Sequence, residues 1–356
     1  MVYWGMAAYW GEARPQSRKG AMVEHVKAAG VASKGPADPG RPQHSPVAHS
    51  YHTDSADAVA LLCLQQAPEG GLSSWCSSVA VHNEMIKRGR ADLVKARRAR
   101  TALASTRHCS LALLRCTLSA GVQWPYASAA MCWLFSMLMV VCVWSRRTHN
   151  PSFGTAVCQP CMRCRASTRA LLCTVRRPTP QGRGLTARAA GQVLAEADWA
   201  RDRRGDLAPG GEQGAPWFQI PIVSYAGGNL TTVFAPHLVR MAQRWADAPR
   251  LTPEQQEAMD MVTALAGSEE LRLQMKLRPG DIQLCYNHTM LHARSTFKDG
   301  DGPGEQRHLV RLWLAPREDR ELPEEYEQFT GSNEPGARGG IVHAPGARLH
   351  VPLDKY

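Results

Sequence analysis

Short apolar or alternating runs, each followed by turn residues, recur along much of the chain. Residues 58–64 form an apolar run of strand length, and 282–286 have the pattern of a strand that leads to His288 and His292. Residues 308–315, in which His308 and Arg311 are the polar positions, are interpreted as an alternating strand. These patterns are typical of buried or half-buried strands. The clearest helix is predicted after the N-cap residue Thr252, with Pro253 in the first helical position. Several short strands, few helices and many turns favour a β-sandwich or jelly roll over a doubly wound sheet.

A central segment departs from this pattern in charge and composition. Between Asp92 and Glu196 there is no acidic residue, whereas fifteen lysines and arginines lie in that interval. Removing these fifteen positive charges from the net charge of +11 leaves −4. Eight of the eleven cysteines also lie there. The basicity is therefore a local property, and we do not infer a nucleic-acid partner from it.

An uncharged stretch inside this segment leaves three interpretations open. Residues 127–144 carry no charge and are followed by Arg146, at the threshold length for a transmembrane helix. They could form a membrane anchor or a buried helix of an inserted subdomain. The segment could also be an insertion outside any folded domain, or translated sequence foreign to the mature reading frame. The absence of acidic residues favours a segment outside any folded domain, because folded domains mix positive and negative charges. The spacing of Cys158, Cys161 and Cys164 is similar to a metal knuckle, but chance clustering is favoured in so biased a segment.

These contrasts divide the chain into five parts. Residues 1–44 are rich in Ala, Gly, Pro and Lys without periodicity, so we expect them to be irregular. The three cysteines outside the insertion are expected to be buried or free thiols in a reducing compartment, which favours the cytoplasm. The remaining parts are a first core segment (45–98), the basic cysteine-rich insertion (99–191), a second core segment (192–321) and a tail packed on the core (322–356).

Candidate chemistry centres on a histidine and a carboxylate two residues apart, His52 and Asp54. On an extended strand such residues point to the same face, so both could reach one metal ion. A third ligand is available downstream in His292, with His288 as its rival. Two histidines and one carboxylate on one face of an octahedron are typical of non-haem Fe(II) oxygenases.

Several stretches together resemble the taurine dioxygenase-like family of Fe(II)- and 2-oxoglutarate-dependent oxygenases. The resemblance implies a mainly β (α+β) double-stranded β-helix, interrupted by the insertion. It covers roughly 45–98 and 192–350, but neither 101–191 nor the first forty residues. Because only fifty-one residues without clear pattern precede His52, we expect the fold to be incomplete at its N-terminal edge. The stretches are 51–57 with 70–75, 277–284 with 287–294, 307–314, and the tail 334–341.

The resemblance also implies roles for individual residues. His52, Asp54 and His292 would bind Fe(II), leaving three positions for 2-oxoglutarate and O₂. Arg311 would bind the far carboxylate of 2-oxoglutarate, and the hydroxyl of Ser73 would donate to the same molecule. Arg307, the other arginine of the pair, is a candidate for an anionic group on the substrate or for 2-oxoglutarate.

The expected activity is oxidation of a small molecule, with 2-oxoglutarate converted to succinate and CO₂. Two alternatives stay open: a non-catalytic family member that serves as a binding scaffold, and a protein anchored in the membrane through 127–144. A small-molecule substrate is the expected partner. Its identity and the oligomeric state are not encoded in any motif of the chain.

Overall fold

A computed structural model describes most of the chain outside the insertion. The predictions for 127–144 and for the cysteine spacing at 158–164 lie outside the described residues. In the part that is described, no helix has both the length and the apolar character needed to cross a membrane. The described residues are 2–28, 44–94, 193–196, 198–212, 214–302 and 304–352.

Strands outnumber helices among these residues, as the sequence pattern predicts. The helices are α1 (Val2–Trp10), α2 (Ser78–Lys87), α3 (Ala91–Val94), α4 (Pro236–Ala242), α5 (Pro253–Ala266) and α6 (Glu327–Thr330), with 3₁₀ turns at Val193–Ala195 and Glu324–Tyr326. The strands are β1 (Glu12–Arg14), β2 (Glu24–Val26), β3 (His49–His52), β4 (Ala58–Gln65), β5 (Glu69–Gly70), β6 (Ser73–Ser77), β7 (Ala200–Asp202), β8 (Trp217–Gln219), β9 (Val223–Ala226), β10 (Asn229–Thr232), β11 (Arg272–Met275), β12 (Ile282–Tyr286), β13 (Met290–Arg294), β14 (Phe297–Lys298) and β15 (His308–Ala315).

Two antiparallel sheets form the core. In the five-stranded sheet, β15 pairs with β4 on one side and with both β1 and β2 on the other, and β12 lies beyond β4. The four-stranded sheet has the order β11-β6-β13-β3. Side chains of both sheets meet in one apolar cluster, in which Val59, Cys285 and Trp313 of the first sheet pack with Trp75 of the second. The sheets therefore lie face to face, and the fold is mixed but strand-rich.

Helices cover the outer faces of both sheets. Helix α1 places Ala7 against Val310 and Leu312 of β15, so every residue of that strand is buried despite its alternating pattern. On the other side, α2 and α5 pack Met85 and Met259 against the four-stranded sheet. Helix α5 begins where the sequence predicts, because Thr252 and Gln255 form a capping box around Pro253.

The expectation that residues 1–44 are irregular is wrong for the N-terminal part that the structure describes. Residues 2–28 contain α1, β1 and β2, and both strands lie against β15. These strands are three residues long, too short for a period of two to be visible in the sequence. Their hydrogen-bond partners lie almost three hundred residues away, so tertiary pairing decides their conformation.

Two other differences have local causes. The predicted strand 217–225 is two strands, β8 and β9, interrupted at Ile220–Pro221 because proline has no backbone N–H for a ladder. Helix α4 was not predicted, since it has only seven residues and no side chain caps its start.

The C-terminal segment contacts the turn that follows β3. The backbone N–H of Gly340 donates to the carbonyl of Ser55 at 2.6 Å. The fully buried Arg338 donates from Nε to both carboxylate oxygens of Asp57 at 2.9 Å and from Nη2 to Asp319 at 2.8 Å. His288 also bonds to Asp57, at 2.8 Å. This buried ion-pair network ties the C-terminal segment to the core.

Breaking this network should lower the stability of the protein substantially. We expect Arg338→Met to reduce the free energy of unfolding by about 3–5 kcal/mol, because it leaves two carboxylates buried without their cation. Urea unfolding followed by circular dichroism measures this change. The matched control is Arg317→Met, which removes an ion pair with Glu12 that is largely exposed and should cost about 1 kcal/mol or less. Equal losses in the two variants would contradict the assignment.

Candidate active site

Strand register brings two of the predicted ligands together. Strand β13 lies between β3 and β6, and His292 is the direct cross-strand partner of His52 on β3. Directly opposite residues of antiparallel strands project from the same face of the sheet. The two imidazole rings accordingly lie 4.2 Å apart between centroids, and both side chains are buried.

A turn, and not a continuing strand, brings the carboxylate to these histidines. Strand β3 ends at His52, and Asp54 lies beyond it. The side-chain oxygen of Asn287 accepts from the Asp54 N–H at 3.0 Å, and its amide donates to the carbonyl of Ala56 at 2.7 Å. The carboxylate oxygens then lie 3.8 Å from His52 Nε2 and 3.7 Å from His292 Nε2. All three ligand atoms lie within 4.8 Å of one another.

The protonation states of these groups suit a divalent metal. The Ser50 carbonyl lies 2.8 Å from His52 Nδ1 and can only accept, so Nδ1 carries the proton and Nε2 keeps its lone pair. Burial lowers the pKa of His52, and it lowers the pKa of His292 to about 3, so both imidazoles are neutral at pH 7. Burial alone would raise the pKa of Asp54, but the charge of Arg311, the charges that the two histidines carry when protonated, and the Trp313 N–H together lower it to about 2. Two neutral nitrogens and one carboxylate are a donor set that fits Fe(II).

A second group of possible ligands has a different role. Asp57, His288 and Asp319 also lie close together. Arg338 donates to both of these carboxylates and supplies the positive charge that a metal would bring. His288 is therefore part of an ion-pair network, which leaves His292 as the histidine beside His52.

Two cavities adjoin the His52–Asp54–His292 cluster. The first, here called the Arg201 cavity, is lined on its polar side by His49, Arg201, Arg204, His237 and Arg311. The second, the Ser73 cavity, is lined by Ser73, Gln283, Arg294 and Arg307 with apolar Val26, Leu61 and Leu309. His52, Asp54 and Arg311 line both cavities.

Arg307 has a buried and unbalanced charge in the Ser73 cavity. Its guanidinium lies 5.3 Å from the ring centroid of Phe297. Asp299 accepts from the Arg307 backbone N–H at 2.7 Å and partly offsets its charge, but no carboxylate of the described residues forms a direct ion pair with the guanidinium. Burial lowers its pKa to about 10, which leaves it protonated at pH 7. Gly71 lies so close that a Cβ atom there would be 3.3 Å from the Arg307 Nε. The cavity therefore offers a cation and a hydroxyl to an anionic ligand.

Arg311 is held by neighbours within the protein. Its Nε donates to Gln16 at 2.7 Å, its guanidinium lies 4.6 Å from the Trp313 ring centroid, and its Nη1 lies 3.6 Å from Asp54. Gln16 is fully buried, and sequence reasoning missed it because it lies in the segment predicted to be irregular. Arg201, His49 and His237 were missed as well, since none belongs to a motif with recognisable spacing.

Comparison with known proteins identifies the family. Residues 2–313 match the model of the family described as Taurine catabolism dioxygenase TauD, TfdA family. Because the match spans most of the chain, the protein belongs to this family, whose members use Fe(II), 2-oxoglutarate and O₂. The match includes the first forty residues, which the sequence resemblance did not cover.

Curated relatives match shorter regions. FR-33289 synthase of Streptomyces rubellomurinus (strain ATCC 31215) is 31% identical over 130 residues, which are 34% of this chain and 36% of that protein. The taurine hydroxylase-like protein SAT17 of Stachybotrys chartarum (strain CBS 109288 / IBT 7711) is 40% identical over 62 residues, 17% of this chain and 16% of that protein. The chain thus matches about a third of the first relative's length and less of the second.

Solved structures show only a distant likeness. An asparagine oxygenase in complex with Fe(II), 2S,3S-3-hydroxyasparagine and succinate has a TM-score of 0.40 and 13% identity, covering 88% of this chain and 63% of that chain. The non-heme iron oxygenase OrfP in complex with Fe and alpha-ketoglutaric acid has a TM-score of 0.41 and 10% identity, with the same coverage. The family assignment therefore rests on the sequence match.

The buried neutral histidines predict how stability depends on pH. The pKa values of His237 and His292 are lowered to about 3 by burial, whereas an unfolded histidine titrates near 6.5. As the pH falls, these histidines therefore bind protons in the unfolded chain before they do so in the folded protein. The stability that their neutral form contributes is fully present above pH 6.5 and is lost as the pH falls below that value. With metal removed by EDTA, the free energy of unfolding should drop between pH 7.5 and 5.5 by on the order of 1 kcal/mol for each such histidine.

His237→Gln provides the control for this pH dependence. The substitution can change the free energy of unfolding at pH 7.5 through packing. Independently of that change, it should reduce the drop in the free energy of unfolding between pH 7.5 and 5.5 by on the order of 1 kcal/mol. Urea unfolding at both pH values measures it. An unaltered drop would show that His237 is not held neutral in the folded protein.

Proposed function

We propose that this protein is an Fe(II)- and 2-oxoglutarate-dependent dioxygenase that hydroxylates or oxidatively cleaves a small molecule. The main support is the cluster of His52, Asp54 and His292, whose ligand atoms lie within 4.8 Å of one another in a member of the TauD, TfdA family. These residues would hold Fe(II). Bound Fe(II) would supply the oxidising chemistry, in which O₂ and 2-oxoglutarate yield succinate, CO₂ and the oxidised substrate.

We also infer that the two facing sheets are the two halves of a double-stranded β-helix. Strands from residues 44–94 and from residues 193–321 alternate within both sheets: β15, β4 and β12 in one, and β11, β6, β13 and β3 in the other. This interleaving supports a single core whose sequence is interrupted at 99–191. It also places Trp313 of one sheet within 3.0 Å of Asp54 beside the other, so the metal ligands lie between the sheets.

We assign the far carboxylate of 2-oxoglutarate to Arg307 and Ser73, and not to Arg311. Arg307 shares its cavity with Ser73, and its charge has no carboxylate partner among the described residues. Arg311 is already held by Gln16 and lies beside Asp54, so its charge keeps that carboxylate ionised and oriented. Apolar Leu61 and Leu309 line the same cavity and would exclude water from the bound oxoacid.

Loss of a ligand histidine should abolish metal binding. We expect His52→Ala and His292→Ala to weaken Fe(II) binding by more than roughly 100-fold, the upper effect of losing a group that merely orients a ligand. Anaerobic titration calorimetry measures binding, and conversion of 2-oxoglutarate to succinate measures turnover. His308→Gln, a buried histidine bonded to His25 and outside the cluster, is the control. Unchanged Fe(II) affinity in both alanine variants would reject the site. If the wild type binds Fe(II) and 2-oxoglutarate but turns over none of the substrates tested, the protein is a non-catalytic member of the family.

Substitutions of Arg307 and Arg311 should differ in their effects on 2-oxoglutarate affinity. Arg307→Met should weaken 2-oxoglutarate binding roughly 10- to 100-fold, the range for a lost charge-assisted hydrogen bond. Arg311→Met should have the smaller effect on 2-oxoglutarate and the larger effect on Fe(II) affinity, because its nearest carboxylate is Asp54. Calorimetry with each ligand measures both. The opposite pattern would restore the assignment of Arg311 to 2-oxoglutarate.

A further inference from the structure

Arg201, on β7, has a charge that its surroundings do not balance. Its side chain is 1% exposed and lines the Arg201 cavity. Its Nη2 donates to the carbonyls of Val233 at 2.7 Å and Pro221 at 3.4 Å. Within the described part of the chain, its Nε and Nη1 have no hydrogen-bond partner. A buried guanidinium in this state lowers stability unless a ligand completes its hydrogen bonds.

The neighbouring ionisable groups do not compensate for this charge. Asp202 follows directly in the strand, but its carboxylate accepts from Arg244 and from Trp245, each at 2.8 Å. Successive residues of a strand face opposite sides, which places that carboxylate away from Arg201. Tyr326 interacts with Arg201, but burial raises the pKa of its phenol, so it is neutral at pH 7. Burial lowers the pKa of Arg201 only to about 9, and the guanidinium remains charged.

The rest of the cavity is positively charged on one side and apolar on another. Arg204 and Arg311 line it together with Arg201, and Asp54 is the one carboxylate among the described lining residues. Arg204 has a left-handed backbone conformation, with φ of 53°. The charge of Arg204 contributes to lowering the pKa values of His52 and His237, after the larger effect of burial. Val233, Leu238 and Phe329 supply the apolar lining.

We propose that the primary substrate carries a compact anionic group, a carboxylate, sulfonate or phosphonate, and that Arg201 binds this group through its unpaired N–H groups. The proposal rests on the proposed function, because His52 and Asp54 line the same cavity and would then face the bond to be oxidised. It also moves recognition of a substrate anion from Arg307, which the sequence suggested, to a residue in the other cavity. The apolar lining would contact the body of the substrate.

Binding of simple anions tests this assignment without turnover. The full chain is titrated with acetate, methanesulfonate and methylphosphonate, with acetamide and dimethyl sulfone as neutral controls. Titrations are run without O₂, both with and without Fe(II) and saturating 2-oxoglutarate, so that the Ser73 cavity is filled in one series. At least one anion should bind in both series and raise the Tm, while the neutral compounds should not. The anion that binds most tightly identifies the substrate's head group.

Arg201→Met should weaken anion binding roughly 10- to 100-fold, the effect of losing charge-assisted hydrogen bonds. Its affinity for 2-oxoglutarate should not change, and its Tm should equal or exceed that of the wild type, because an incompletely paired buried charge has been replaced by an apolar group. Arg201→Lys keeps the charge and should bind the anion with intermediate affinity. This variant tests the proposal even if Arg201→Met fails to fold. Arg307→Met is the matched control, expected to lose 2-oxoglutarate but to keep the anion.

Three outcomes would overturn the proposal. They are no anion binding by the wild type, wild-type anion affinity in both Arg201 variants, and a Tm several degrees lower in Arg201→Met with unchanged anion affinity. The last would show that Arg201 serves only the carbonyls of Val233 and Pro221. Anion binding that depends on Arg201, in a chain that binds neither Fe(II) nor 2-oxoglutarate, would reject the proposed function and leave the anion site standing.

Discussion

Antiparallel pairing of β13 with β3 and β6 determines where the candidate metal ligands lie. His292 faces His52 because of this register, and a slip of one residue would turn His292 to the opposite face of the sheet. On that opposite face, Tyr51 and Leu291 pack against α2 and α5 in the largest apolar cluster. Burial of these two residues opposes any slip. The apolar packing of one face thereby holds the ligands on the other.

Both terminal segments contribute to the surroundings of this cluster. Gln16, between β1 and β2, holds Arg311 beside Asp54. At the other end, Arg338 pairs with Asp57, three residues after Asp54, while Asn287 bonds to the turn between them. The Asp54 carboxylate is thus positioned by contacts from parts of the chain that are far apart in sequence. Changes in either segment should act on the metal site without touching a ligand.

Each of the two cavities is lined by a buried arginine that forms no ion pair with a carboxylate of the described residues. Arg338 is equally buried, but two carboxylates and two carbonyls satisfy its donors. Arg201 and Arg307 have no such carboxylate partners among the described residues, although both remain charged at pH 7. Buried charges of this kind reduce stability, and proteins retain them where binding requires them. A buried arginine without a carboxylate ion pair in each cavity agrees with a site that receives two anionic molecules beside one metal ion.

The sequence alone determined the elements whose signals are local. The apolar run of β4, the strand patterns of β12 and β15 and the N-cap of α5 lie within single segments, and all four elements form where predicted. The spacing of His52 and Asp54, with the family resemblance that selected His292, likewise identified residues that the structure brings together. Only the tertiary structure determined that β1 and β2 form strands, because both depend on pairing with β15.

Tertiary structure also decided how the surroundings of Arg307 and Arg311 differ, since Arg307 lines the Ser73 cavity and Arg311 lines both cavities. Arg307 and Arg311 are an even number of residues apart, so strand periodicity places them on one face and cannot separate their roles. Contacts with Gln16, Phe297 and Asp54 separate them. Such contacts join residues hundreds of positions apart, which no local pattern encodes.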